Sequence, residues 1–298
     1  MIDLVLSAEQ QLDNILSEWS TWCDQRPEVV RPLIGGLTNQ TYLLRSADQR
    51  LVLRINAANS DALDLNRQSE VEVLKAAADA GITAKLIYSD PKYRYMLTEF
   101  IIAAPWRQDY TSTNEGVEKL AALLRAIHTV DIVTPVLNNR QKAARYWQLI
   151  DHSSAVAKQL SRISPQLEHA MQVASKLNKV PCLCHNDLLA ANLLLATNGQ
   201  AYAIDWEYAA TGDAYFDVAA VVEGHNLTLK NAGQLLLAYH LGDAAAVDLQ
   251  RLHYARINFC YLDLLWYCAQ YTAKPVMASD IFLQKKLHYI KKLLAEST

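Results

Sequence analysis

The chain runs Cys184-His185-Asn186-Asp187-Leu188-Leu189-Ala190-Ala191-Asn192-Leu193-Leu194-Leu195 and, a few residues on, Ala203-Ile204-Asp205-Trp206-Glu207. This reads as H-x-D-L-x-x-x-N, a hydrophobic run, and then an Asp closing a second hydrophobic run. The spacing is that of a phosphoryl-transfer catalytic loop. In such a loop one carboxylate, here Asp187, takes the proton of the attacking hydroxyl, while Asn192 and Asp205 face metal bound to nucleotide phosphates. The short interval from Asp187 to Asn192 lets the carboxylate face an acceptor as the amide turns back toward the nucleotide. The longer interval to Asp205 accommodates a hairpin that brings Asp205 opposite Asn192. An isolated H-x-D is common and more often structural. Here four polar residues fall in register between strand-like runs at 180–184, 193–196 and 202–204.

Outward from this loop, the pattern changes near residues 100–104. Upstream, Leu12, Ile15, Leu16, Trp19 and Trp22 have helical spacing and predict a helix over 8–23, with Ser7 as its N-cap and Pro27 and Pro32 closing the region. Strands are expected over 33–44 and 51–55 around a turn at Ala47-Asp48-Gln49, and a helix over 66–80 ending at Gly81. Two more strands, 84–88 and 95–100, flank Asp90-Pro91. Downstream the periodicity is mostly helical, clearest over 117–128, and the only clear strand signals surround the catalytic loop. The tail, 281–294, reads as an amphipathic helix with a solvated basic face of Lys285, Lys286, Lys291 and Lys292. The fold class expected is α+β and two-lobed. Residues 1–102 form a sheet-rich nucleotide-binding lobe, and residues 103–298 a helical lobe with the catalytic loop and substrate pocket.

Composition excludes several functions. With 298 residues, 20% charged and a net charge of −3, the chain has no basic stripe for nucleic acid. It has no apolar run long enough for a transmembrane helix and no basic, apolar leader, so a cytoplasmic location is expected, without membrane or obligate protein partner. Five cysteines, Cys23, Cys182, Cys184, Cys260 and Cys268, form no C-x-x-C pair, and packing is their expected role.

The nucleotide side is marked by Ile34-Gly35-Gly36-Leu37-Thr38-Asn39 in the first hairpin. Gly35 and Gly36 permit close backbone approach to a ligand, while Thr38 and Asn39 offer polar groups for phosphate oxygens. A Gly-Gly pair in a hairpin is also an ordinary turn. Leu51-Val52-Leu53-Arg54-Ile55 places one cation in an apolar strand, either at a solvated edge or aimed into the cleft to neutralise phosphates. Its carboxylate partner would come from the next helix, as Glu70 or Glu72, with Glu70 preferred.

At these residues the chain resembles the choline kinase and aminoglycoside phosphotransferase superfamily, which shares its fold with protein kinases. Gly35-Gly36-Leu37-Thr38-Asn39, Leu53-Arg54-Ile55, Arg67-x-x-Glu70, His185-Asn186-Asp187-Leu188-x-x-x-Asn192, Ile204-Asp205-Trp206-Glu207-Tyr208-Ala209 and Phe216-Asp217 occur in that order. The Gly-Gly loop leans toward the choline kinase branch, and bacterial thiamine kinases are similar around 204–220. The resemblance implies ATP and Mg2+ as cofactors, Asp187 as base, and Asn192 and Asp205 as metal ligands. Glu207 would assist at a second metal or face the substrate. His185 and Asp217 would brace the loop, and the Thr98–Ile101 hinge, with Glu99 and Ile101, would offer backbone groups to adenine. The carboxylate expected on the helix after Phe-Asp falls one residue early, at Glu223, a substrate contact displaced from the pattern.

Only eleven residues separate Asp205 from Asp217, too few for a peptide-docking activation segment. The acceptor is therefore expected to be a small-molecule alcohol. The stretch 254–271 carries Tyr254, Trp266 and other aromatics beside Asp263, which suits a cation by cation–π attraction at about 0.5–2 kcal/mol per contact, or packs as an aromatic face of the core. The expected activity is phosphorylation of a choline- or ethanolamine-like hydroxyl, with thiamine or an aminoglycoside as alternative acceptors. A catalytically silent nucleotide-binding module is the non-enzyme alternative, disfavoured because Arg54, Asp187, Asn192 and Asp205 are all present.

Overall fold

The computed structural model describes residues 7–33, 39–57, 65–177, 180–273 and 278–296. Helix α1 (Ala8–Ser17) starts at Ser7, whose hydroxyl and Gln10 form a reciprocal capping box, and a single 3-10 turn (Trp19–Thr21) extends it. Strands β1 (Glu28–Pro32), β2 (Gln40–Ser46) and β3 (Gln49–Ile55) follow. Then come α2 (Arg67–Asp79), β4 (Leu86–Ser89) and β5 (Tyr95–Glu99). The five strands form one antiparallel sheet in the order β1-β2-β3-β5-β4.

The two-residue period of β3 decides which way Arg54 points. Leu51, Leu53 and Ile55 pack with Tyr95 and Leu97 of β5 against Ile15 and Trp22. That face is taken by the N-terminal helix, so Arg54 is left for the other face, toward α2. Helix α2 is capped by Asn66, whose side chain accepts from the Ser69 N–H, and it is followed by Gly81 at φ 74. It presents Val71, Val73, Leu74 and Ala77 to the larger core.

The sequence expectation is displaced at β1. The region closed by Pro27 and Pro32 is itself a strand, and the next begins only at Gln40 rather than running over 33–44. Proline is tolerated there because β1 is an edge strand and Pro32 its last residue.

Beyond Glu99, β6 (Ala103–Pro105) leads to α3 (Gln108–Thr111), α4 (Asn114–His128), α5 (Asn139–Leu149) and α6 (Ala155–Leu177). Next come β7 (Cys182–Cys184), β8 (Leu193–Ala196), β9 (Ala201–Ala203) and β10 (Ala210–Gly212). The chain closes with α7 (Ala214–Gly224), α8 (Leu229–Tyr239), α9 (Ala246–Ala273) and α10 (Asp280–Ala295). Helix α9 is the axis of this half, packed on α5, α6, α7 and α10. The β8–β9 hairpin pairs with β6, and β7 pairs with β10. Neither β6 nor β10 was expected: three residues are too short for a period-2 signal, and both exist through tertiary pairing.

The basic face of α10 is not wholly solvated. The ammonium of Lys286 lies 2.5 Å from Asp263, and that of Lys291 donates to Gln159 at 2.6 Å. No helix among the described residues is long and apolar enough to cross a membrane.

Candidate active site

Strand β7 delivers the chain to the loop, and α7 holds it there. Asp217, fully buried in the first turn of α7, accepts the N–H of His185 at 2.8 Å and that of Asn186 at 2.6 Å. Two backbone donors on one carboxylate fix the peptide ahead of Asp187, and Asn186 takes the left-handed conformation at φ 65. His128 adds a third contact to Asp217, at 3.2 Å. His185 Nε2 donates to the Ile204 carbonyl at 3.0 Å, and its ring lies 4.6 Å from that of Trp206. Burial lowers the pKa of His185, so the ring is held neutral between loop and hairpin.

Downstream, the Asn192 amide donates to Asp187 twice, at 2.7 Å to Oδ2 and at 2.9 Å to the carbonyl. The Ile204 N–H bonds the Asn192 carbonyl at 2.9 Å, which sets Asp205 beside Asn192 across the β8–β9 hairpin. Asp205 is also left-handed, φ 64 and ψ 65, a strained conformation for a non-glycine residue that aims its carboxylate across the cleft.

There it meets the cation of β3. Arg54 Nη1 is 2.7 Å from Asp205 Oδ1, and Nη2 is 2.6 Å from Glu70 Oε1. Glu72 is exposed and accepts from Gln68, so Glu70 is the partner. Burial opposes the charge on Arg54, but Glu70, Asp205 and Glu207 outweigh it and raise its pKa. A second buried cation, Arg67, donates to Glu70 at 2.8 Å, to Glu207 at 3.0 Å and to Asn39 at 3.2 Å. Asn39 gives its amide to Glu207 at 2.7 Å. Asn39 is thus tied to α2 and Glu207. Gly35, Gly36 and Thr38 lie outside the described residues.

Asp187, Asn192, Asp205 and Glu207 line a cavity of about 200 Å3 together with Tyr208, Asp263, Trp266 and Tyr267. Burial pushes the Asp187 carboxyl up to about 8, and the nearby Asp205, Glu207 and Asp263 add to the shift against the Asn192 hydrogen bond. Burial raises Asp205 and Glu207 as well. Crowded carboxylates and an amide oxygen are hard donors of the kind Mg2+ takes, and a divalent cation would relieve their mutual repulsion. The residues present fit such an ion, with Asn192 and Asp205 as ligands and Glu207 beside them.

Not every expected residue reaches the cavity. Glu223 points away into a pair with Arg256 and a 3.3 Å contact with the Tyr289 hydroxyl, the consequence of its one-residue displacement along α7. Tyr254 packs against the core rather than lining the cavity. Glu99 and Ile101 flank the link from β5 to β6, and the Glu99 N–H is engaged by the Lys85 carbonyl at 2.9 Å. Asp263 and Trp266 do line the cavity, but Asp263 already carries Lys286.

Sequence reasoning also missed a polar relay behind the loop. The Trp106 indole N–H donates to Thr111 Oγ1 at 2.7 Å, Thr111 contacts His225 Nδ1 at 2.9 Å, and His225 Nε2 contacts the Leu188 carbonyl at 3.2 Å. An indole only donates and a carbonyl only accepts, so the hydroxyl donates to Nδ1 and the proton of His225 sits on Nε2. The relay holds the peptide next to Asp187. A Cβ at Gly224 would come within 2.4 Å of Leu189 Cδ2 and would make that leucine side chain turn aside.

Burial drives the His225 imidazole from 6.5 down to about 4, against the pull of the Leu188 carbonyl. A depressed histidine leaves the unfolded chain binding more protons between those values. Its contribution is full above 6.5 and lost as the pH falls toward 4, by up to about 3 kcal/mol. His225→Gln, which can both donate and accept, is expected to flatten the fall in Tm across that window relative to wild type. Parallel Tm–pH curves for the two proteins would show that His225 carries no such load.

Comparison with known proteins bears on the family and the fold. The model of the phosphotransferase enzyme family, APH, matches residues 29–254. Protein LicA of Haemophilus influenzae is 30% identical over 211 residues, covering 69% of this chain and 61% of that protein, so the match spans less than two thirds of that relative. The crystal structure of choline kinase LicA from Streptococcus pneumoniae superimposes with a TM-score of 0.77 at 21% identity, over 95% of this chain and 98% of that one. A LicA structure in complex with AMP gives a TM-score of 0.79, also at 21% identity, over 98% of this chain and all of that one. The fold is therefore the α+β, protein-kinase-like fold of these enzymes. The chain belongs to the phosphotransferase enzyme family.

Proposed function

We propose that the protein is a Mg2+- and ATP-dependent kinase that phosphorylates the hydroxyl group of a small, positively charged metabolite of the choline or ethanolamine kind. The observation that carries this reading is that Asp187, Asn192 and Asp205 line the same cavity as Tyr208, Trp266 and Tyr267. That cavity brings groups for phosphoryl transfer together with aromatic rings for a cation.

In this reading Asp187 accepts the acceptor's hydroxyl proton as the oxygen attacks. Asn192 and Asp205 hold Mg2+, which when bound neutralises charge on the nucleotide phosphates. Arg54, fixed by Glu70, supplies a permanent positive charge beside Asp205. The Gly35-Gly36-Leu37-Thr38-Asn39 segment covers the phosphates, and the backbone between Glu99 and Ile101 meets adenine. The LicA structure with AMP supports a nucleotide ligand for this fold.

A screen of ADP release over choline, ethanolamine, thiamine, aminoglycosides and sugars tests the proposal, and a silent module would release none above background. Choline is best compared with 3,3-dimethyl-1-butanol, which keeps its shape and hydroxyl without the charge. The neutral alcohol is expected to lose about tenfold or more in kcat/KM, ~1.4 kcal/mol. Equal use of both, or preference for an uncharged sugar, would sink the cationic acceptor and leave the kinase standing.

A further inference from the structure

The cavity already holds a positive charge of its own. Lys142, in the first turns of α5, lines the cavity with its ammonium 4.7 Å from the Tyr208 ring centroid and 5.8 Å from that of Tyr146. Trp266 fixes the Tyr208 ring by donating its indole N–H to the phenol oxygen at 3.0 Å. The aromatic face that an incoming cation would use is thus rigid, and a lysine stands on it.

Helix propensity does not account for this cation. The N-terminus of a helix carries partial positive charge and favours acids, yet the first turns of α5 hold Arg140 and Lys142 and no acid. The other lysine of the region is placed differently. Lys286 comes from α10, lies on Asp263 and stacks over Tyr267 at 5.0 Å and Phe282 at 5.1 Å, and it does not line the cavity. Asp263, the acid expected to attract a cationic substrate, therefore comes with its counter-ion in place. The lining rings that Lys286 leaves to an acceptor's charge include Tyr208 and Trp266. Lys142 is half-buried, and its flexible stem allows the ammonium to leave for water.

Resting on the reading of a cationic acceptor, we infer that Lys142 stands where the acceptor's positive charge would sit and competes with it for the Tyr208 face. Lys142 then tunes how far the enzyme separates charged from neutral alcohols. A charged acceptor must displace a like charge before it gains the ring, whereas a neutral alcohol meets no such repulsion.

Lys142→Met keeps the stem and removes the charge. The ratio of kcat/KM for choline to that for 3,3-dimethyl-1-butanol is expected to rise about tenfold in this variant. Lys142→Arg, which retains a cation, should keep the wild-type ratio, and KM for ATP reports that both variants fold. Tetramethylammonium, which has no hydroxyl, isolates binding from chemistry. By calorimetry it should bind Lys142→Met about tenfold more tightly than wild type. Unchanged tetramethylammonium affinity would overturn the inference. A weaker affinity would overturn it too, and would recast Lys142 as the anchor for an anionic group. If wild type uses both alcohols equally, the cationic-acceptor reading fails, and the tetramethylammonium comparison still decides whether Lys142 competes for the ring.

Discussion

Asp187→Asn is expected to lower kcat by about 10²–10⁴-fold or more, the usual contribution of a positioned general base. The amide keeps the shape and can still bond Asn192, but it cannot take the proton of the attacking hydroxyl. Nucleotide binding should persist, because Asp205 and Arg54 remain. Stability should move the other way. The Asp187 carboxyl titrates near 8 in the fold, mainly through burial and then through Asp205, whereas an ordinary aspartate titrates near 3.9. A carboxyl raised on folding gives stability that is present at low pH and lost as the pH climbs through about 8. The Asn variant has no such group, so its Tm should match wild type in acid and exceed it increasingly toward pH 8. Steady-state ADP release and a Tm series across pH check both halves. A kcat within a few-fold of wild type would remove Asp187 from the chemistry. A Tm advantage that does not grow with pH would show that the carboxyl is not strained by burial.

The catalytic loop was legible because its chemistry needs fixed residue types at fixed spacing. The position of Asp205 opposite Asn192 followed from the length of the intervening hairpin, which the structure builds from β8 and β9. The choice between Glu70 and Glu72 was half legible. Both acids lie on α2, but a turn of 100° per residue puts only Glu70 on the face toward Arg54. What escaped was set by distant packing. Trp106, Thr111 and His225 are ordinary residues in sequence, the histidine more than a hundred positions from the other two, and only the docking of α7 against the segment after β6 makes them one relay. The same holds for Lys142 and Lys286. Each sits on a helix with its own amphipathic pattern, and nothing in that pattern says that its ammonium ends over a particular ring. The aromatic stretch 254–271 left two readings open, and α9 divides them. Tyr261 belongs to the buried core alone, while Phe259, Trp266 and Tyr267 also line the cavity.

Asp205→Asn and Arg54→Met remove the two halves of one ion pair, and they are expected to have opposite effects on stability. Asp205→Asn should weaken metal-dependent nucleotide binding by about 100-fold or more, since even groups that only support a metal ligand contribute 10–100-fold. Turnover should fall with it and recover only in part at high Mg2+. Its Tm should hold or rise. Burial disfavours the Asp205 carboxylate more than Arg54 and Arg67 favour it, so its pKa is raised and neutralising it removes a cost above the ordinary carboxylate range. Arg54→Met leaves the balance worse. Glu70, only 2% exposed, loses the contact at 2.6 Å, Asp205 loses its contact at 2.7 Å, and Arg67 alone remains among three carboxylates. Breaking a buried pair from the side that leaves charge uncompensated costs about 3–5 kcal/mol. Thermal melts of the two variants with and without Mg2+ and nucleotide separate the cases. An Asp205→Asn protein that melts well below wild type, or that binds Mg-nucleotide normally, would mean that Asp205 serves the fold rather than the metal. An Arg54→Met protein as stable as wild type would mean that Arg67 suffices to hold the cluster.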